Sequence, residues 1–144
     1  MEIEQVTSIT DEVCEAFRRL MPQLTPTHLT PTKDELITIV KSEASILLIA
    51  RYPNKNSHIV GAGCLVIYRV LTGMKGIIED VVVDESAREN GIGESIVRRL
   101  LDIAREKGVN GVTLTSNSKR ISANRLYQRI GFAKRETNSY IYKF

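Results

Sequence analysis

The stretch that most constrains this chain runs from Ile77 to Gly93, I-I-E-D-V-V-V-D-E-S-A-R-E-N-G-I-G. Its first half is rich in β-branched residues and too short for a helix, so Ile77 to Val83 is expected as a strand. Glu79 and Asp80 interrupt it. Neighbouring strand residues point to opposite faces, so one carboxylate is expected on each side of the sheet. Arg88, Glu89, Asn90, Gly91, Ile92 and Gly93 follow, leading into a helix expected over Glu94 to Lys107, where Ile92, Ile96, Leu100 and Ile103 keep helical spacing. Glycines at a strand-to-helix turn let backbone N–H groups approach a ligand closely, and the helix N-terminus adds partial positive charge. Together they make an anion site. A tight turn into a helix is the plainer reading of the same residues.

The spacing excludes two familiar phosphate binders. A dinucleotide fingerprint needs a third glycine three residues after Gly93, where Ile96 stands. A nucleoside-triphosphate loop needs Gly-Lys-Ser/Thr, and Glu94 and Ser95 follow Gly93 instead. What remains is R-x-x-G-x-G.

At 144 residues the chain is expected to form one domain with its own core. Cys14 and Cys64 lie in unrelated apolar stretches without metal-ligand spacing and read as reduced core thiols, which suits the cytoplasm. His28 and His58 lack carboxylate or cysteine companions, so no metal is expected. No apolar run approaches the roughly 18 residues of a membrane span, and the N-terminus does not read as a signal peptide. The net charge of +3 is mild but uneven: Lys119, Arg120, Arg125, Arg129, Lys134 and Arg135 cluster without an acidic residue among them. The plain reading is a solvated face, the other a phosphate partner; the scarcity of interleaved aromatics counts against nucleic acid.

In chain order, Glu2 to Thr7 reads as an opening strand. Thr10 caps a helix that Pro22 is expected to end, and a proline- and threonine-rich loop runs to Pro31. Thr32 and Glu35 form a capping box for a second helix. Ser45 to Arg51 and Ile59 to Tyr68 are strands joined by a polar turn. Gly61 and Gly63 signal a bulge or a close approach by another backbone, and a loop from Arg69 to Lys75 leads to the central strand. Gly108 stops the central helix. Val109 to Thr115 alternates as a strand, Ser122 to Ile130 is a short helix stopped by Gly131, and Phe132 opens a last pair of short strands. This order predicts an α/β chain with an antiparallel front half and a parallel crossover at the central helix.

A second pattern lies on the short helix: Ala123, Tyr127, Gly131 and Phe132 in A-x-x-x-Y-x-x-x-G-F. With R-x-x-G-x-G before it, the chain resembles the GNAT acetyltransferase superfamily over essentially its whole length. The run I-E-D-V-V-V is similar to the corresponding strand of eukaryotic glucosamine-6-phosphate N-acetyltransferases, and the remainder looks like a branch of small bacterial GNAT proteins. The chain departs from the former at Leu114, Thr115 and Ser116, where those enzymes carry an acidic residue.

The resemblance implies a GNAT fold (a mixed central sheet of six to seven strands flanked by about four helices) over a single domain, 1–144. It also implies acetyl-CoA as acetyl donor and the amine of a small molecule as acceptor. The cofactor-binding set is then Val81, Val83, Arg88, Glu89, Asn90, Gly91, Ile92, Gly93, Glu94, Ser116, Arg120, Asn124 and Tyr127. Arg88 to Gly93 hold the pyrophosphate, Arg88, Arg120 or Arg125 reach the ribose phosphate, and the N–H of Val81 faces the thioester carbonyl. An alkyl amine is protonated at neutral pH, with a pKa of about 10, so a base is needed, and Glu79 or Asp80 can serve. Tyr127 has an O–H for the leaving thiolate. Neither cysteine is expected near the chemistry, which favours direct transfer in a ternary complex. The acceptor pocket is expected from His28, Thr30, the loop before the central strand and the Glu136 to Tyr140 turn. The competing function is a non-catalytic acyl-CoA-binding regulatory module, and a homodimer stays open.

Overall fold

The computed structural model describes residues 1–25 and 29–144. Four helices and five strands follow in the order β1 (Glu2–Gln5), α1 (Asp11–Leu24), α2 (Lys33–Lys41), β2 (Ser45–Arg51), β3 (Ile59–Val70), β4 (Gly73–Val83), α3 (Ile92–Glu106), β5 (Val112–Thr113) and α4 (Ile121–Ile130). A single 3-10 turn, Glu85–Ala87, joins β4 to the α3 loop. The sheet order is β1-β2-β3-β4-β5. The first four strands are antiparallel, and the crossover through α3 makes β5 parallel to β4. The antiparallel front half and the parallel crossover are the expected ones, and α/β is the class.

Both caps read from the sequence form. The Thr10 hydroxyl accepts from the Val13 N–H at 3.2 Å, and Thr32 with Glu35 closes a capping box. Pro22, however, lies inside α1 rather than ending it. A proline removes one helical hydrogen bond, but here the last turn has other support. The Thr25 N–H donates to the Met21 carbonyl, and the Gln23 amide donates to the Arg19 carbonyl at 3.1 Å.

Two apolar layers cover the sheet. On one face α1 and α2 bury Val13, Phe17, Leu20 and Leu36 against Leu47, Ile49, Ala62 and Val82. On the other, Ile92, Ile96, Val97 and Leu100 of α3 and Tyr127 of α4 pack on Leu48, Leu65, Ile67 and Ile78. Fully burying one such Leu or Ile contributes about 1.5–3 kcal/mol. Gly61 and Gly63 make this approach possible: a Cβ on Gly63 would stand 2.7 Å from Ile96 Cγ2, and one on Gly61 would stand 3.0 Å from Ile96 Cδ1. Helix side chains crowd both glycines, the Val82 carbonyl also lies 3.3 Å from a Cβ on Gly61, and the strand ladders shift register beside each of them.

The bulge lies opposite, on β4. Cys64 pairs with Glu79 and Ala62 with Val82, so Gly63 alone faces both Asp80 and Val81. Asp80 takes a left-handed backbone, φ 55°. The extra residue flips the faces: Ile78 belongs to the α3 layer and Val82 to the α1 layer, although even-numbered residues of a regular strand share a face. The expectation of one carboxylate on each side assumed regular pleating, which the bulge at Asp80 breaks. Glu79 and Asp80 are both exposed.

Three other boundaries differ. The expected loop from Arg69 to Lys75 is a tight hairpin, with Val70 paired to Gly73. The strand expected over Val109 to Thr115 forms ladder pairs only at Val112 and Thr113. The two strands expected after Phe132 do not form, so the sheet has five strands among the described residues rather than six to seven. With two paired residues, β5 has little edge on which to register another strand. Tyr140 and Tyr142 are accordingly 88% and 83% exposed.

Candidate active site

The parallel ladder between β4 and β5 holds at Gly76 with Val112 and Ile77 with Thr113, then ends. β4 runs on to Val83 with no strand partner on that side among the described residues. The gap opens beside the bulge at Asp80 and Val81. At its β5 side the Ser116 hydroxyl is buried without a hydrogen-bond partner, a state that costs free energy unless a ligand or water answers it.

Beyond Val83 the chain turns through Asp84 and the 3-10 turn into the glycine loop. Gly91 is the N-cap of α3 with φ 74°, a conformation that disfavours other side chains, and a Cβ there would meet nothing within 4 Å. The loop is held by its own side chains. The Asn90 amide donates to the Ala87 and Arg88 carbonyls, both at 3.0 Å, and the Tyr52 hydroxyl donates to Asn90 Oδ1 at 3.1 Å. Arg88 Nε donates to the Val83 carbonyl at 3.1 Å. With the loop so fixed, the backbone N–H groups from Arg88 to Glu94 have no acceptor among the described residues; the first helical bond is Ser95 N–H to Gly91 O. A row of free N–H groups at the start of a 15-residue helix has the chemistry of an anion cradle.

Around it stand β4 and α4. A Cβ on Gly93 would lie 3.6 Å from both Val83 Cγ2 and Leu126 Cδ2, so the three elements meet at the first turn of α3. The Glu94 carboxylate ties them further, accepting from Arg98 at 2.8 Å and Arg129 at 2.9 Å, partners that hold its pKa below the usual glutamate value. One turn back along α4, Asn124 donates to the Asn117 and Arg120 carbonyls at 2.9 and 2.8 Å. The side chains of Asn90, Glu94 and Asn124, all expected to touch cofactor, thus build the loops, and Ile92 is buried in the core. Asn90, Ile92 and Glu94 retain backbone N–H groups for a ligand.

Tyr127 is 7% exposed and packs edge-on against Phe132, ring centroids 6.0 Å apart. Its hydroxyl has no hydrogen-bond partner among the described residues, yet it is not among the sealed, unpaired groups. Burial pushes its pKa up and the nearby Arg120 charge draws it partly back, so the phenol stays protonated at neutral pH. On β4, burial first and the Asp80 charge second raise the Glu79 pKa. Arg120 and Arg125 are exposed, as are the other four cations of the basic cluster, so the cluster is a solvated face in which Arg129 alone has a carboxylate partner among the described residues.

Cys64 is nearer than its place in the sequence suggested. It pairs directly with Glu79 across the sheet, half-buried. Burial, with the charges of Asp80 and Glu79, pushes its thiol up to about 11, so almost none is thiolate at neutral pH. Sequence reasoning also missed Tyr52, whose neighbours carry no signal of its reach to Asn90, and the pair Arg19 and Gln23 treated below. Of the expected acceptor pocket, His28 lies outside the described residues, and the Glu136 to Tyr140 stretch is an exposed segment rather than a turn between strands. No cluster of metal-ligating residues occurs among the described residues, and no helix among them is long and apolar enough to cross a membrane.

A model of the acetyltransferase (GNAT) family matches residues 10–132, from the start of α1 through Phe132. This chain belongs to the GNAT acetyltransferase family. Over 101 residues this GNAT chain is 36% identical to a probable glucosamine 6-phosphate N-acetyltransferase 2 of Oryza sativa subsp. japonica, covering 67% of the chain and 59% of the rice protein. A glucosamine 6-phosphate N-acetyltransferase of Trypanosoma brucei brucei is 38% identical over 82 residues, 55% of this chain and 54% of the relative. The matches thus span little more than half the length of these two relatives. Among solved structures, an acetyltransferase of Trypanosoma brucei shares the fold with a TM-score of 0.74 at 26% identity, covering 99% of both chains. GNAT membership agrees with the glycine loop and the tyrosine helix.

Proposed function

We propose that this protein transfers an acetyl group from acetyl-CoA to a primary amine of a small molecule by direct attack in a ternary complex. The observation that carries the proposal is the row of N–H groups from Arg88 to Glu94 without acceptors, at a helix start beside an open strand edge. The residues fit the donor: free N–H groups for a pyrophosphate, the unpaired Nη groups of Arg88 with Arg120 and Arg125 for further phosphate, and the orphaned Ser116 hydroxyl beside the gap. Acetyl-CoA supplies the activated thioester. Val81, at the bulge, is the residue whose N–H we assign to the thioester oxygen as negative charge develops there.

Glu79 takes the amine proton, directly or through a water. Its raised pKa moves it toward the operating pH, where a base is most effective. Tyr127 gives its proton to the departing thiolate, and its free hydroxyl supports that role. Cys64 stays a thiol, which supports direct transfer over an acyl-enzyme. The relatives named above act, by their names, on glucosamine 6-phosphate, an amino sugar; that supports a primary amine as acceptor here, while Leu114, Thr115 and Ser116 depart from the acidic residue of that group.

A screen of primary amines for thiol release from acetyl-CoA tests the proposal. Turnover with at least one small amine is expected. Tight acetyl-CoA binding with no turnover across amino sugars, polyamines and amino acids would instead make this a regulatory binding module. With an acceptor in hand, the pH profile assigns the base. A group with raised pKa is protonated and inactive at low pH, so kcat/KM should rise along a limb whose midpoint lies above the ordinary glutamate value of about 4.3. Asp80→Asn should move that midpoint down by removing the neighbouring charge, and Glu79→Gln should abolish the limb. The reverse pattern makes Asp80 the base.

A further inference from the structure

The N–H groups just before the free row are all occupied. The Glu85 N–H donates to Gln23 Oε1 at 2.8 Å, the Ser86 N–H to Asp84 Oδ1 at 3.0 Å, and the Ala87 N–H to the Asp84 carbonyl at 2.9 Å. Two of these three bonds depend on Asp84 and the third on Gln23. Asp84 is 7% exposed, the one buried charged residue among those described. Its Oδ1 also accepts from the Ser86 hydroxyl at 2.7 Å, while Oδ2 accepts from Arg19 Nη1 at 2.8 Å and more weakly from Gln23 Nε2 at 3.5 Å. Arg19 spends its other nitrogen, Nη2, on the Ile59 carbonyl at 2.9 Å. These bonds, Ser86 first, hold the Asp84 carboxyl down at about 2, so it is charged throughout the physiological range.

Arg19 and Gln23 belong to α1, which packs on the opposite face of the sheet from α3. They reach round the end of β4 and grip the turn from which the glycine loop starts. The continuation of α1 through Pro22 is what brings Gln23 to that turn. A loop that binds through backbone groups has no side chains to aim, so its affinity depends on where the backbone is held. A misplacement of about 1 Å is costly in such a site.

We propose that Arg19 and Gln23 are positioning residues for acetyl-CoA: through Asp84 and the Glu85 N–H they fix the turn that aims the N–H row from Arg88 to Glu94 at the pyrophosphate. The inference rests on the functional reading above. It adds that the cofactor loop is set from the helix on the far side of the sheet. Neither residue touches the ligand. The expected signature is therefore a selective loss of pyrophosphate binding, whereas a general packing role would lower stability and leave the affinity of folded protein alone.

The test is calorimetric titration of the full chain with acetyl-CoA and with acetylpantetheine, which lacks the pyrophosphate. Arg19→Met leaves Asp84 buried without its cation, which endangers folding; Gln23→Met removes only the acceptor for the Glu85 N–H and the weaker bonds of its amide. For folded Gln23→Met the acetyl-CoA Kd should rise about tenfold while the acetylpantetheine Kd is unchanged. Once an acceptor is known, KM for acetyl-CoA should rise with kcat at saturation retained. Wild-type affinity for acetyl-CoA in a folded, less stable Gln23→Met protein would overturn the positioning role and leave the acetyltransferase reading standing. Equal losses for both ligands would also overturn it. A wild-type protein that binds no acetyl-CoA would overturn both.

Discussion

Tyr127→Phe should lower turnover about 100-fold while leaving acetyl-CoA affinity nearly unchanged. The substitution removes one hydroxyl that bonds to nothing among the described residues, and the ring keeps its edge-on contact with Phe132 and its place in the α3 layer. Folding therefore has little to lose. Donation to the thiolate matters only as the bond to sulfur breaks, so the loss belongs to kcat. The measurement is steady-state kinetics with the acceptor from the amine screen, beside a calorimetric Kd. Lost affinity with normal turnover would make Tyr127 a binding residue. A change below tenfold in both would leave it a core residue, because a thiolate is a fair leaving group unaided.

Gly93→Val should weaken acetyl-CoA binding by more than tenfold, about 1.4 kcal/mol or more. Gly93 is the better of the two loop glycines for this test. Gly91 has φ 74°, so a β-branched residue there strains the backbone whatever the ligand does. At Gly93 no such strain arises, and the first carbon of a side chain would sit at ordinary contact distance from Val83 and Leu126. Valine is also a better helix former than glycine, so the protein should fold. The branch would press on Val83 and Leu126 and so displace the first turn of α3, whose N–H groups belong to the free row. Near-normal affinity in the folded variant would remove this loop as the pyrophosphate site.

The loop was legible because its function is written in spacing. A cradle of backbone N–H groups needs glycine where φ is positive and a helix immediately after, and Gly91 with the Ile92-Ile96-Leu100 stripe states both. The tyrosine helix was legible for a similar reason, a short amphipathic stretch stopped by Gly131. The bulge was not, because nothing in I-E-D-V-V-V marks Asp80 as left-handed; the register against Gly63 on another strand imposes it. The same register brings Cys64 beside Glu79, a contact between residues 15 positions apart in sequence. Pro22 misled because a rule about local backbone was outweighed by the tertiary bonds of Arg19 and Gln23. The last strands misled because a run of strand-forming residues such as Tyr140 to Phe144 states what a segment could do, and here β5 offers it too short an edge.

The side chains read as ligand-binding illustrate a further limit. Asn90, Glu94 and Asn124 stand where the motif places them, but their hydrogen-bonding groups hold the loops together. Sequence position indicates that a residue serves a site. Whether it serves through its side chain or by holding the backbone needs the bonding partners.

Amide-resolved NMR during an acetyl-CoA titration tests the central claim most directly, since the claim concerns particular N–H groups. The account predicts that the amides of Arg88 to Glu94 show the largest shifts of the chain, and that acetylpantetheine leaves most of them in place while still moving Val81. If acetyl-CoA binds and the row from Arg88 to Glu94 does not move, the cradle lies elsewhere and the account is wrong.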